Sequence, residues 1–149
     1  MSTLWWDAAK SGNIEMLQTI IDNGADLDVQ DVCGCTALML AADEGHVACV
    51  QLLINARAGL EIRNIFADRQ TALLWAVTRD QAACAQLLIN AKANIEARDH
   101  LDGRTALFEA ASTDPTDCLQ LLIHAKAYIE AQDNNGRTAF LWAARRGHF

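Results

Sequence analysis

The sequence has no long hydrophobic run and few basic residues, and each shortage argues against a class of protein. No apolar segment approaches the ~18 residues that a membrane-spanning helix needs. The N-terminal residues lack the basic region, followed by a long apolar stretch, that marks a secretory signal. Twelve basic residues against 19 acidic ones give a net charge of −7. The expected partners therefore include neither nucleic acid nor a membrane.

Motifs for catalysis are also missing. The sequence contains no G-x-S-x-G, no phosphate-binding glycine loop and no H-E-x-x-H. We therefore expect a protein that is not an enzyme and that has no cofactor and no small-molecule substrate.

The cysteines indicate a reducing compartment. Their number, five, is odd, which favours free thiols and a cytoplasmic location, with the nucleus as an alternative. Cys33 and Cys35 form a C-x-C pair, but the second pair of ligands that a zinc site needs is missing. The sequence thus predicts no metal site, and a metal or redox sensor using this pair stays as a less favoured alternative.

What the sequence does contain is a repeat. Similar segments begin at four threonines, Thr36, Thr71, Thr105 and Thr138, at spacings of 35, 34 and 33 residues. The same template fits from Thr3, 33 residues before Thr36. Such a period is typical of an array of small stacked units.

Each unit is predicted to form two short helices followed by an extended, turn-rich segment. The second helix carries apolar residues at helical spacing, as in Val47, Val50, Leu53 and Ile54. Neither helix is long enough to bury its apolar face alone, so the units must stack. The whole chain is then one domain with units at about 1–32, 33–66, 67–101 and 102–134 and a partial unit at 135–149.

The repeat resembles the ankyrin repeat family. The family pattern, D-x-x-G-x-T-P-L-H-x-A-A-x-x-G-H and then N-G-A-D-V-N after an apolar helix, is closely matched by "NGADLDVQD" (23–31) followed by "GCTALMLAADEGH" (34–46). The resemblance implies an all-α solenoid of stacked helix–turn–helix units joined by β-hairpin-like loops. It also implies protein–protein recognition through a concave groove and the hairpin tips.

Departures from the family pattern predict local differences. Alanine replaces the proline after the threonine in the four later units. Arg57, Lys92 and Lys126 replace the glycine after the second helix, at ~1 kcal/mol each if the left-handed conformation is kept. Asp80-Gln81 replaces the Gly-His before the third unit's second helix, and Asp80 is expected to be the N-cap.

Several recurring residues are expected to be structural. Cys49, Cys84 and Cys118 share one position in the apolar stripe of the second helix and are predicted core residues. The leucine pairs of the second helices should be mostly buried: Leu52, Leu53, Leu87, Leu88, Leu121 and Leu122. The recurring carboxylates are interpreted as turn and helix-entry residues: Glu61, Glu96, Glu130, Asp31, Asp99 and Asp133.

Candidate binding residues are those that vary between units on one face of the first helix. Counting the repeating threonine as the first position, the fifth, eighth and ninth positions share that face. We call this set the variable face: Leu40, Asp43, Glu44, Trp75, Thr78, Arg79, Glu109, Ser112, Thr113, Trp142, Arg145 and Arg146. Trp75 is predicted to anchor a partner, because interface hot spots are enriched in tryptophan. The alternative is that Trp75 and Trp142 pack against adjacent helices.

The hairpin tips form a second candidate surface. The loops "NIFADRQ" and "DHLDGR" are two residues and one residue longer than the shortest version, which leaves Phe66 and Leu101 near projecting tips. Phe66 has the alternative of folding back onto the neighbouring hairpin.

These features together predict a protein-interaction module that acts as a scaffold or adaptor. The closing segment "TAFLWAARRGHF" has the form of a first helix without its second, so we expect a piece of a longer protein. The alternative function is the recognition arm of a multidomain protein, such as a ubiquitin-ligase adaptor or an enzyme, whose catalytic part is absent here.

Overall fold

The computed structural model describes residues 3–65, 68–113 and 117–147. In this part of the chain the predicted helix pairs are present, and the all-α solenoid is confirmed. In chain order the helices are α1 (Thr3–Ser11), α2 (Ile14–Asp22), α3 (Ala37–Glu44), α4 (Val47–Asn55), α5 (Ala72–Thr78), α6 (Ala82–Asn90), α7 (Ala106–Ser112), α8 (Asp117–His124) and α9 (Ala139–Arg146).

The helices form two layers. In the first layer α1, α3, α5, α7 and α9 pack in succession, and in the second layer α2, α4, α6 and α8 do the same. Neighbouring helices can approach each other closely because buried side chains such as Ala41, Ala42 and Ala76 are small. The core lies between the layers, so the first helices are left with one outward face.

The repeating threonine is the residue that starts each later first helix. Thr36, Thr71, Thr105 and Thr138 have extended backbones, and each hydroxyl accepts a hydrogen bond from the backbone N–H three residues later at 3.3–3.4 Å. This N-cap satisfies a donor that the helix leaves unpaired. Alanine after the threonine is therefore sufficient, because the cap and not proline defines the helix start.

The turn after the second helix keeps the left-handed conformation without glycine. Arg57, Lys92 and Lys126 have φ of 65°, 72° and 62°, so the condition for the ~1 kcal/mol cost is met, where the first unit has Gly24 at 74°. The prediction for Asp80 was wrong: it has φ of 54°, and Gln81 is the N-cap of α6. Asp80 takes the left-handed position that glycine occupies in other units, since aspartate tolerates this region better than most residues.

In each leucine pair of the second helices only one leucine is fully buried, whereas the sequence predicted that both would be mostly buried. Leu53, Leu88 and Leu122 are fully buried. The preceding leucines, Leu52, Leu87 and Leu121, were predicted to be mostly buried but are only partly so. Successive residues on a helix lie ~100° apart, so only one of each pair points into the core.

Carboxylates connect neighbouring units. One carboxylate oxygen of Glu61 accepts a hydrogen bond from the backbone N–H of Asn94 at 2.7 Å, and Glu96 accepts one from Tyr128 at 2.7 Å. The glutamates are therefore not simply turn residues within their own unit, because their partners lie 32 or 33 residues away. Charge-assisted bonds of this kind fix the stacking of one unit on the next.

Candidate functional site

The hairpins beside the first helices are built around a recurring Asp or Asn. One oxygen of Asp99 accepts hydrogen bonds from the backbone N–H groups of Asp102, Gly103 and Arg104 at 2.9, 2.8 and 3.2 Å. Adjacent hairpins are joined through their backbones, as in the bond from His100 N–H to the Asp68 carbonyl at 2.7 Å. The turn role predicted for this aspartate is confirmed. These bonds place each hairpin at a fixed position beside the variable face.

The structure brings the variable face together along the outward side of the first-helix layer. At the fifth position, Leu40, Trp75, Glu109 and Trp142 are all partly buried, so this is not a deep core position. At the eighth and ninth positions most side chains are exposed: Glu44, Thr78, Arg79, Thr113, Arg145 and Arg146. Asp43 and Ser112 are partly buried.

The hydroxyl groups on this face are already hydrogen-bonded within their own helices. Thr78 and Ser112 each donate to the carbonyl four residues earlier, at 2.8 and 2.9 Å. Thr113 donates to the carbonyl of Ala110 at 3.1 Å. All three hydroxyl groups therefore offer acceptor lone pairs to a ligand more readily than donor hydrogens, and the two threonines also offer methyl groups.

A cleft of about 340 Å³ lies between the variable face and the hairpins at the second and third units. Trp75 and Asp43 line it from α5 and α3, and Cys33, Asp68 and Gln70 line it from two hairpins. The indole N–H of Trp75 is buried and has no hydrogen-bond acceptor among the described residues. The ring is therefore held by packing alone, and no hydrogen bond fixes its orientation.

One ion pair crosses the rim of this cleft. The Nε of Arg79 lies 2.7 Å from Oδ1 of Asp43, and the two residues belong to neighbouring units. The arginine side chain is 62% exposed and the aspartate 11%. The exposed arginine is screened by solvent, whereas the aspartate is mostly buried and depends on this contact.

Trp142 has a different environment from Trp75. The guanidinium carbons of Arg104, Arg137 and Arg146 lie 5.0, 4.3 and 5.1 Å from its ring centroid, and the Phe108 ring is 6.0 Å away. Trp142 thus packs within the protein, as the alternative interpretation predicted. Arginine–tryptophan stacking of this kind stabilises the last described helix.

Glu109 belongs to the same cluster. Burial raises the pKa of its carboxyl group, and Arg104, whose Nη1 lies 3.4 Å from Oε1, only partly opposes this effect. Although Glu109 is on the variable face, its carboxylate is therefore partly neutralised by a neighbour.

The hairpin tips carry exposed aliphatic side chains. Leu101 is exposed, as expected, and so are Val32 and Ile65 on the two preceding hairpins. Phe66 lies outside the described residues, so its predicted position stays a prediction. The tips and the variable face are adjacent at the Trp75 cleft, since hairpin residues form one wall of it.

The cysteines do not form a reactive cluster. Cys49, Cys84 and Cys118 are buried, as predicted, and burial raises the pKa of Cys118 to about 12. Burial, together with Asp31 and other nearby groups, raises the pKa of Cys35 to about 12 as well, which works against thiolate chemistry there. Across 3–65, 68–113 and 117–147, no group of three or more histidine, cysteine or acidic residues is placed to bind a metal ion.

The histidine that begins α4 also connects two units. His46 Nε2 lies 2.9 Å from the Lys10 carbonyl oxygen. This contact ties the loop before α4 to the first unit.

Comparison with known proteins agrees with this architecture. Residues 5–99 and 96–149 match the family described as "Ankyrin repeats (3 copies)". The chain belongs to the ankyrin repeat family, whose members are generally protein–protein interaction modules. None of the described helices is long and apolar enough to cross a lipid bilayer.

Individual relatives match shorter stretches. An ankyrin repeat domain-containing protein 29 of Danio rerio is 38% identical over 63 residues, 42% of this chain and 21% of that protein. An L-asparaginase of Dirofilaria immitis is 42% identical over 57 residues, 38% of the chain and 10% of the enzyme. A probable E3 ubiquitin-protein ligase of Oryza sativa subsp. japonica is 38% identical over 53 residues, 36% of the chain and 10% of the ligase. The matches thus span about a fifth of these relatives or less.

The sequence predicted the variable face but not the cleft beside Trp75. Cys33, Asp68 and Gln70 were not among the predicted site residues, although they line it. Only the extra length of the loop at 64–70 pointed towards this place. A loop's direction depends on its neighbours in the stack, which repeat spacing alone does not reveal.

Proposed function

We propose that this chain is a protein-interaction module, acting as an adaptor or scaffold, whose partner binds along the variable face and the adjacent hairpin tips. The observation that carries the proposal is that the helix caps and several core residues recur from unit to unit, whereas the residues of the variable face differ. The threonine caps and buried alanines recur from unit to unit, whereas the fifth position changes from Leu40 to Trp75 to Glu109. A binding surface needs such chemical variety, and a packing surface does not.

Charge along the variable face gives the proposed complex a direction. Asp43 and Glu44 lie at its N-terminal end, and Arg145 and Arg146 lie at its C-terminal end. Neither Glu44 nor Arg145 forms an ion pair with any described residue. A partner should therefore present basic residues to the N-terminal half and acidic residues to the C-terminal end. Such charges mainly govern association rate and orientation.

Removing the central aromatic side chain should test the proposal. With a partner obtained by affinity capture and then purified, Trp75→Ala is expected to weaken binding by ~2 kcal/mol, roughly 30-fold in Kd. The loss should appear mostly as faster dissociation, measured by biolayer interferometry. Glu44→Lys should instead slow association and make it less sensitive to salt.

The matched control lies on the other layer. Gln86 is exposed on α6, away from the variable face, and Gln86→Ala should leave Kd unchanged. Thermal melting of each variant separates lost contact from lost folding. The proposal for the helix face fails if Trp75→Ala and Glu44→Lys bind as the wild type does. If changes at Leu101 or Val32 abolish binding in that case, the tips alone are the site.

A second candidate is that the chain is the recognition arm of a larger multidomain protein. The supporting observation is that relatives include a probable E3 ubiquitin-protein ligase and an L-asparaginase, of which the matches cover 10% each. On this proposal the catalytic chemistry belongs elsewhere, and the repeat units select the substrate protein. Reading the gene beyond residue 149 and testing ubiquitylation of the captured partner would distinguish this role from a free-standing adaptor.

We also propose that the protein resides in a reducing compartment, the cytoplasm or the nucleus. This location is supported by the five cysteines, all of which are free thiols. We propose that the repeat units bind a partner and do not catalyse a reaction.

A further inference from the structure

The cleft beside Trp75 has an excess of negative charge. Two carboxylates, Asp43 and Asp68, line it, against the single cation of Arg79. The Asp68 carboxylate makes no hydrogen bond or ion pair with any described residue, although the backbone carbonyl of Asp68 is used by His100. Among the described residues, one acid of the cleft is therefore paired and the other has no partner.

The electrostatic effect of this charge is seen at a neighbouring thiol. Burial, and after it the charges of Asp31, Cys33 and Asp43, raises the pKa of Cys35. Cys35 lines the same cleft as Asp43. Burial disfavours a charge of either sign, but the negative charge of Asp43 that disfavours a thiolate at this wall would favour a cation.

Arg79 lines the cleft but is largely exposed to solvent. Its side chain is 62% exposed, and its contact with Asp43 uses a single nitrogen, Nε, at 2.7 Å. The Arg79 contact uses Oδ1, so a second cation from the partner could approach Oδ2 of Asp43. The contact between Arg79 and Asp43 shows that the Asp43 carboxylate can accept a hydrogen bond from a guanidinium group.

An aromatic wall complements the acids. The Trp75 ring lines the cleft, and the methyl group of Thr78 lies on the same helix one turn away. Lysine and arginine have long apolar stems that pack on such rings while their heads meet acceptors. A cation near an indole ring is also attracted by the ring itself.

We propose that this cleft binds a basic side chain, lysine or arginine, of the partner, with its stem against Trp75 and its charged group between Asp43 and Asp68. This inference rests on the proposed function, since it assigns the chemistry of one contact in the same complex. The charges along the variable face indicate only which end of it a basic or an acidic part of the partner would contact. The present inference assigns one basic side chain to one pocket. The volume of about 340 Å³ suits one long side chain and is small for a whole cofactor.

Peptide selection on the full chain tests the proposal without a known partner. A random 12-residue peptide library displayed on phage is selected against the 149-residue protein, and the enriched peptides are synthesised. We expect the peptides that bind the variable face to share a lysine or arginine. Replacing that residue by norleucine, which keeps the stem, should weaken binding by about tenfold.

The matching change in the protein is Asp68→Asn, alone and together with Asp43→Asn. Asp68 forms no ion pair among the described residues, so its substitution should leave the melting temperature unchanged. The double variant should lower peptide affinity by about tenfold, and Gln86→Ala should have no effect. If the double variant is destabilised through loss of the Arg79 contact, the single Asp68→Asn still decides the question.

Cys33 provides an independent readout. All five cysteines are among the described residues, and Cys33, which lines the cleft, is the exposed one. A bound peptide should protect Cys33 from iodoacetamide. Mass spectrometry of the alkylated protein measures this protection.

Three results would overturn the assignment: binding peptides without a basic residue, unchanged affinity for the Asp68→Asn and double variants, or unprotected Cys33. If the peptides still lose affinity with Trp75→Ala and Arg146→Ala, the proposed function stands and only this pocket assignment falls. If no selected peptide depends on any residue of the variable face, the proposed function falls with it.

Discussion

Leu88→Ala should lower the free energy of unfolding by ~2–5 kcal/mol. Leu88 is fully buried on α6, which packs against α5 in its own unit and against α4 and α8 on either side. Truncation removes the transfer free energy of the lost carbons and leaves a cavity that the neighbouring helices fill only in part. Urea denaturation followed by circular dichroism and by tryptophan fluorescence measures the change.

The preceding leucine is the matched control. Leu87 has the same chemistry on the same helix but is only partly buried. Leu87→Ala should therefore cost clearly less than Leu88→Ala. Equal losses would mean that the assigned orientation of α6 is wrong. Separate transitions in the two signals would show that the array unfolds in parts, as stacked units can.

Asp99→Ala should lower the free energy of unfolding by ~3 kcal/mol. Asp99 is 7% exposed, and one of its oxygens accepts from three backbone N–H groups, at 102, 103 and 104. Alanine would leave these donors without their charged acceptor. Chemical denaturation measures the loss, and faster amide exchange at Gly103 would locate it.

Asp99→Asn separates the hydrogen bonds from the charge. The chain already uses asparagine at this position in one hairpin, where Asn64 Oδ1 accepts from the Gln70 N–H at 2.6 Å. The asparagine variant keeps the acceptor and should cost only ~1 kcal/mol. Equal destabilisation by alanine and asparagine would contradict the role given to the accepting oxygen.

Much of the fold could be predicted because the same physical requirement recurs in each unit. A threonine hydroxyl can cap a helix wherever the chain enters one, so its spacing located α3, α5, α7 and α9. The sequence left open whether Arg57, Lys92 and Lys126 keep the left-handed turn of the matching glycine, and the structure shows that they do. The error at Asp80 arose from judging one residue by its own preference and not by its position in the repeat.

The candidate site was less predictable because it depends on contacts between units. The variable face follows from helix geometry within one unit, and it was located correctly on the first helices. The different environments of Trp75 and Trp142 could not be predicted from their shared position. Arg104 and Arg137 come from loops, and their placement around Trp142 depends on how neighbouring units stack.

The most direct test of the central claim is to locate a bound partner on the surface. Amide chemical shifts of the isotope-labelled chain are recorded with and without a selected peptide or the captured partner. We expect the largest changes on the variable positions of α3, α5 and α7, on the hairpins around 31–35 and 64–70, and on the Trp75 indole N–H. Changes centred instead on exposed residues of the second layer, such as Gln86 and Gln120, would contradict the central claim.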